Sequence, residues 1–383
     1  MPRCLRRSGG ASPSAPWRAR SHTFPPRRWG WSWSMSGCCS ACGSGARWEL
    51  ATRAGSSAAR RLLAVPPAGM EDAMSATMAG PALRDGAAPK PREMMHLNTR
   101  SDARGAVRAA VHLGLIVASG ALVAVSPWWL VVPAMVLAGV VQAALFAPLH
   151  ETCHYTAFKS RRANAVVGWL AALPALRNWH FYQQFHLAHH KHTQNPEHDP
   201  ELSPPPPGDL AAYVYRVVGV PYWVAQLTVW ARGWRGDLSA YWFIHPASAP
   251  RVVASIRVGS ALTVVLAVVA GLVFGWSSVL LFWVGPQLLG QPLLRLYLLT
   301  EHTGCTEDAN GLTNTRTMLT AAPVRLLMWE MPFHAEHHLY PFIPFHRLRD
   351  AHAVLRDRLA HVGTGYAAWH VEHVRELRQA RRG

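Results

Sequence analysis

Four long apolar runs, set in two close pairs, constrain this chain more than any other feature. From Ala109 to Val125 the residues are apolar except His112 and Ser119, and after Ser126 and Pro127 a second run continues from Trp128 to Leu149. A second pair spans Val258 to Phe274 and Trp276 to Leu299, with only Gly275 between them. Each run is long enough to cross a hydrocarbon core of about 30 Å at about 1.5 Å per residue. The short joins predict two tight transmembrane hairpins. The hairpin tips carry no Lys or Arg, whereas Arg104, Arg108, Lys159, Arg161, Arg162, Arg251, Arg257, Arg295 and Arg325 flank the opposite ends. By the positive-inside rule the tips face outward and the rest of the chain faces the cytosol. Trp128, Trp129 and Trp276 at the tips suit an aromatic belt.

The formal charge of +17 comes from arginine gathered at the two ends and on loops. Such a charge fits either nucleic acid or an anionic membrane surface, and the apolar runs select the membrane, so no nucleic-acid partner is expected. Residues 1–100 differ from the rest: Arg, Ser, Gly, Pro and Ala dominate, and Glu49 is the only acidic residue before Glu71. This is not the composition of a folded domain. It reads as a disordered leader: either an organelle transit peptide or, in the favoured reading, an upstream extension with the true start at Met70, Met74, Met94 or Met95. The membrane domain then covers 101–355, followed by a basic tail or helix over 356–383, suited to anionic lipid or to solvent. Cys39-x-x-Cys42 has no second pair at ligand spacing, and the six cysteines imply no disulfide framework.

Between the hairpins, Val166 to Leu176 is apolar but too short to span, and Tyr213 to Trp230 mixes aromatic and apolar residues. Both are expected to lie along the membrane interface. The run Pro204 to Pro207 separates them.

Three histidine clusters punctuate this scaffold. His150-Glu151-Thr152-Cys153-His154 sits at the cytosolic end of the second run, His186-Leu187-Ala188-His189-His190 lies between the hairpins, and His334-Ala335-Glu336-His337-His338 follows the second hairpin. On a helix, residues three and four apart share a face, so the imidazoles of each cluster can reach one ion. His302, just past the fourth run, falls at the same membrane depth as His150. Imidazole suits Zn, Cu, Fe and Ni alike. The count is more selective, because zinc sites close at about four ligands and nine candidates suit two ions. His150-Glu151-x-x-His154 also satisfies the H-E-x-x-H pattern of zinc proteases, with Glu151 as general base. That remote alternative leaves the other clusters idle. Glu151, Asp199 and Glu336 are expected to orient ligand rings, and His180, His192, His198 and His346 are weaker candidates for the same role.

The order H-x-x-x-H, H-x-x-H-H, H-x-x-H-H across two hairpins resembles the membrane fatty acid desaturase superfamily, which includes hydroxylases and carotenoid ketolases. The resemblance covers about residues 108–355, and its motifs are specific in combination. Phe185 to Thr193 with Asp199-Pro200, and His338-Leu-Tyr-Pro-Phe-Ile-Pro344, are similar to the stretches around the second and third boxes of these enzymes. The resemblance implies an all-α integral membrane protein of four transmembrane helices with a cytosolic helical cap holding two Fe ions. His150, His154, His186, His189, His190, His302, His334, His337 and His338 are the implied ligands. Leu298 stands where some relatives carry an Asn that holds a metal-bound water. The implied activity is O₂-dependent desaturation of a fatty acyl lipid, with lipid hydroxylation or carotenoid ketolation as alternatives. Electrons are expected from an external ferredoxin or cytochrome b5-like donor. The implied location is a bacterial inner membrane, or an organelle membrane if the leader is a transit peptide.

Overall fold

A computed structural model describes residues 88–380. Most of the leader, with Cys39-x-x-Cys42, Met70 and Met74, lies outside the described residues. Those described are mostly helical.

Helix α1, Asp102–Val125, starts where the Ser101 hydroxyl accepts from the Arg104 N–H at 3.3 Å. Helix α2, Val131–Ala143, continues through Ala144 and Leu145, both with helical backbone, into α3, Phe146–Cys153. After α4, Arg161–Ala172, comes α5, Trp179–His192, capped by the Asn178 carboxamide, which accepts from the Phe181 N–H at 2.9 Å. Gly219, at φ +86°, divides α6, Leu210–Val218, from α7, Val220–Arg235. Helix α8 is Ala249–Phe274. The fourth apolar run begins with Trp276–Val279, passes through a π-helical stretch, Leu280–Val284, and continues as α9, Gly285–His302.

Three helical segments are long and apolar enough to cross a membrane: α1, the combined α2–α3 segment and α8. The fourth is continuous but more polar, since Gln287, Gln291 and Arg295 interrupt its apolar residues. Leu113 on α1 and Leu272 on α8 leave 61% and 75% of their surface exposed, as do many neighbours of like character. A soluble protein does not present so much contiguous apolar surface; lipid covers it at no cost. Trp128 at the first tip is 87% exposed.

Small residues set the closest helix contact. A Cβ on Gly290 of α9 would fall 2.0 Å from the Gly139 carbonyl oxygen of α2, and one on Gly139 would fall 2.2 Å from the Pro286 carbonyl. The two backbones therefore touch, as membrane helices do at paired glycines. His150 and His302 follow these glycines at nearly equal distances along their helices. The same contact that joins the hairpins thus brings their histidine ends together.

The C-terminal part contains α10, Ala322–Leu327, α11, His334–Leu339, α12, Leu348–Leu355, and α13, Tyr366–Ala380. Two three-residue strands depart from the all-α expectation: β1, Thr317–Leu319, pairs in parallel with β2, Val362–Thr364, Thr317 opposite Val362. They tie the loop after α9 to the segment before α13. Residues 88–97 fall inside the stretch that composition sets apart, yet they pack. Met94 and Leu97 are buried with Tyr340, Ile343 and Leu348, and the Tyr340 hydroxyl donates to the Pro89 carbonyl at 2.6 Å. Met94, Met95 and Leu97 amid polar residues are too short a signal to mark a folded segment.

Candidate metal centre

The four sequence elements that carry the clusters converge. His150 and His154 end α3, His186, His189 and His190 occupy successive turns of α5, His302 ends α9, and His334, His337 and His338 lie on α11. The spacing of three and four puts each set on one helical face, and the four faces meet.

They sort into two groups. Ligand atoms of His150, His154, His186, His190 and His337 all lie within 4.8 Å of one another, and so do those of His189, His302 and His338. His334 joins the second group, its Nε2 lying 3.2 Å from that of His302 and 3.1 Å from that of His338. Within the first group the Nε2 atoms of His154 and His186 are 2.8 Å apart, those of His186 and His190 3.1 Å, and those of His190 and His337 3.1 Å. In the second, His189 Nε2 is 3.2 Å from His302 Nε2.

These separations test the fit of a metal. With metal–nitrogen bonds of about 2.1 Å, ligands at right angles stand about 3.0 Å apart and tetrahedral ligands about 3.4 Å. The observed spacing suits ions of five or six ligands. Both ring nitrogens of buried His150 lack a hydrogen-bond partner, although its ring centroid stands 4.2 Å from that of His186 and 4.6 Å from that of His337. A buried polar group without a partner costs about 1–3 kcal/mol. An ion amid the five imidazoles removes that cost for the nitrogen that faces it.

Ring orientation is set differently in the two groups. His189 Nδ1 donates to Asp199 at 2.9 Å, and His302 Nδ1 donates to the Asn314 carbonyl at 3.1 Å. The Thr193 hydroxyl donates to the His189 carbonyl at 2.8 Å, so its oxygen accepts from His338 Nδ1 at 3.2 Å. With Nδ1 protonated, each ring turns a free Nε2 lone pair toward its group. Asp199 is itself held, accepting from the backbone N–H groups of Gln194 and Glu201, each at 2.8 Å. In the first group the Nδ1 atoms of His150, His154, His186, His190 and His337 have no partner.

Burial, reinforced by neighbouring positive groups, pushes His154 down to about 3 and holds His186, His190, His334, His337 and His338 well below the ordinary imidazole range. These rings are neutral, as metal ligands must be. For His189 burial alone acts downward, but the Glu201 and Asp199 carboxylates outweigh it and raise the ring to about 9. Carboxylates that favour a proton at this point favour a metal cation for the same reason.

Among the other residues expected near the ligands, Glu151 accepts from the Phe345 backbone N–H at 2.9 Å, and Glu336 binds the Thr317 hydroxyl and His352. Both carboxylates clamp one segment to another; their hydrogen bonds do not run to ligand rings. The Glu151 contact also turns one carboxylate oxygen from the role that a zinc protease requires. His192 packs against His198 and Trp242. His180 meets Ser255 at 3.2 Å, and His346 meets Arg104 at 3.1 Å.

Sequence reasoning did not single out Glu201 and Glu301, whose carboxylates stand 3.7 Å from the Nε2 atoms of His189 and His334. Nor did it find roles for the loop after α9. There Asn314 orients His302, Thr317 holds Glu336, and the Arg316 guanidinium donates to the Thr300 and Thr303 carbonyls at the α9 C-terminus. Glu301 directly precedes His302 in a polar helix end, which is the one local hint.

Residues 126–370, which contain every cluster, match the model of the fatty acid desaturase family. An sn-1 oleoyl-lipid 12-desaturase of Picosynechococcus sp. is 25% identical over 272 residues, covering 65% of this chain and 76% of its own length. A dihydrorhizobitoxine desaturase of Bradyrhizobium elkanii is 29% identical over 267 residues, with 65% and 74% covered. A chloroplastic omega-6 fatty acid desaturase of Brassica napus is 23% identical over 268 residues, with 65% of this chain and 58% of the relative covered.

Proposed function

Since this chain belongs to the fatty acid desaturase family, and so to the oxidoreductases of membranes, we propose that it introduces a double bond into a fatty acyl lipid at a centre of two irons. His150, His154, His186, His190 and His337 hold one iron, and His189, His302, His334 and His338 hold the other. The chemistry supplied by two bound irons is reduction of O₂ to two waters, with two electrons from an external donor and two taken with hydrogens from adjacent CH₂ groups. The donor is a ferredoxin or a cytochrome b5-like protein, for which the basic face offers a complementary surface.

The residues of the chain orient, bind and exclude water. Asp199, Asn314 and Thr193 fix the tautomers of His189, His302 and His338. A cavity of about 560 Å³ is lined by His189 and His302 and by the apolar rings of Phe181, Phe185 and Phe243. An acyl chain lying there meets the second group and not the first. Leu298, one turn before His302, lines the same cavity. The fourth helical run completes a set of four crossings, with the tips outward and the helices of the cap on the cytosolic side of a bacterial inner membrane. On this reading 101–355 is the membrane domain, extended at its start by the packed residues from 88, and 356–383, which includes β2 and α13, is a basic tail at the lipid surface.

The observation that carries the reading is the meeting of nine imidazoles from four elements in two groups with metal-ligand spacing. The test is expression in a host of defined lipid composition, followed by lipid mass spectrometry of the wild type and of His337→Ala. New double bonds are expected in the wild type alone. Zinc without iron in the purified protein, with an unchanged lipid profile, contradicts the proposal.

A further inference from the structure

The cavity beside His189 and His302 is not a plain apolar channel. Three guanidinium groups, Arg177, Arg216 and Arg295, also line it, and Arg216 donates to the Pro204 and Pro205 carbonyls. Arg177 lies over three rings, 5.0 Å from the centroid of Phe146, 5.2 Å from Tyr182 and 5.0 Å from Tyr222, and Arg295 lies 4.7 Å from Tyr222. Neither forms an ion pair with a carboxylate among the described residues, and the Nε of each is buried without an acceptor. Glu201 and Asp199 share the cavity. Both are turned toward His189, Asp199 by a hydrogen bond and Glu201 at 3.7 Å. Glu201 also faces Arg177 and Arg295, so the cavity sets three guanidinium groups against two carboxylates, both of which are shared with His189.

A chain of amides fixes Arg295. Arg295 Nη2 donates to Gln291 Oε1 at 3.4 Å, Gln291 Nε2 to Gln287 Oε1 at 3.3 Å, Gln287 Nε2 to Gln142 Oε1 at 3.5 Å, and Gln142 Nε2 to the Phe282 carbonyl at 2.8 Å. Every carboxamide points its oxygen toward the arginine, so the dipoles add. The chain ends on a carbonyl of the π-helical stretch Leu280–Val284, where the ordinary helical partner is displaced. Gln142, Gln287 and Gln291 are buried in helices that otherwise carry apolar residues. Polar residues at such depth are costly unless they serve a function. The chain joins α2 to the fourth helical run at Gln142 and continues along α9 to end on the guanidinium.

We propose that this cavity takes its substrate as an anion, with a carboxylate or phosphate of the lipid held by Arg177 and Arg295. The inference rests on the desaturase reading above and deepens it: the substrate is an anionic lipid or acyl acid, not a neutral ester. Planar guanidinium groups suit both oxyanions, and the aromatic faces hold the cations in place while they wait for them.

The test uses the full iron-loaded chain in neutral detergent and two fluorescent probes, cis-parinaric acid and its methyl ester, at neutral pH. The acid is expected to bind at least about tenfold more tightly than the ester, as one charge-assisted contact implies. Arg177→Gln and Arg295→Gln should each remove most of that preference while ester binding stays within about twofold. Competition by laurate against dodecyl phosphate tells which oxyanion is preferred. Equal binding of acid and ester by the wild type overturns the proposal without recourse to any variant, as does a preference that survives both substitutions. Iron content and ester binding report the folding of each variant. If the chain desaturates no lipid yet prefers the acid, the desaturase reading alone fails. If it desaturates lipid while binding both probes alike, the anion site alone fails.

Discussion

The two histidine groups lie side by side but are built in opposite ways. In the group of His150, His154, His186, His190 and His337, the rings are buried, no Nδ1 has a partner, and the nitrogens face mainly one another. In the group of His189, His302, His334 and His338, three of the four rings are oriented by Asp199, Asn314 and Thr193, and Glu201 and Glu301 stand close by. His189 and His302 also line the cavity. The first group has one more imidazole and, on the proposed reading, relies on its ion and on packing for its geometry. The second has one fewer, is aligned by the protein, and is open to a substrate. Orientation by hydrogen bonds is present where a ring must keep its place while something else approaches.

The contrast yields a graded series of effects. The largest is expected for His186→Ala, because His186 Nε2 stands within 3.1 Å of two other ligand atoms of the self-supporting group. Iron in the purified protein should fall from two per chain toward one, and product formation should drop by more than about a hundredfold, beyond the usual loss for an outer partner. Retention of both irons would deny that the first group depends on its own ligands. Next comes Asp199→Asn, which leaves His189 without its carboxylate. A loss of about 10- to 100-fold in activity or iron affinity is expected, confined to one iron, and measured by iron titration. An equal loss of both irons would erase the distinction between the groups. The smallest is Thr193→Val, which removes one hydrogen bond to His338 worth about 1 kcal/mol, or about fivefold in the turnover rate. No change at all would mean that packing alone orients that ring.

Much of this was legible beforehand, for reasons of spacing. His150 with His154, and the i, i+3, i+4 patterns of the other clusters, make sense only on helices, and apolar runs that end at His150 and near His302 bring those helices to one depth. That reasoning singled out as candidates the nine histidines that the structure brings together. It could not divide them, because the five-and-four grouping mixes the boxes: His186 and His190 go one way and His189 the other. Within the shared face of α5 a step of about 100° separates His189 from His190, but which partner waits on each side is a tertiary fact. Run length likewise marked the fourth helix without weighing Gln287, Gln291 and Arg295 as a connected set. Glu201 lies in a single 3-10 turn, Pro200–Leu202, and Asn314 in a loop, where no periodicity signals a contact.

The division into two irons is tested most directly by anomalous diffraction at the iron edge from crystals of the purified, iron-loaded chain. Two peaks are expected, one amid His150, His154, His186, His190 and His337 and the other amid His189, His302, His334 and His338. A single peak, or a zinc signal at His150 and His154 alone, would contradict it.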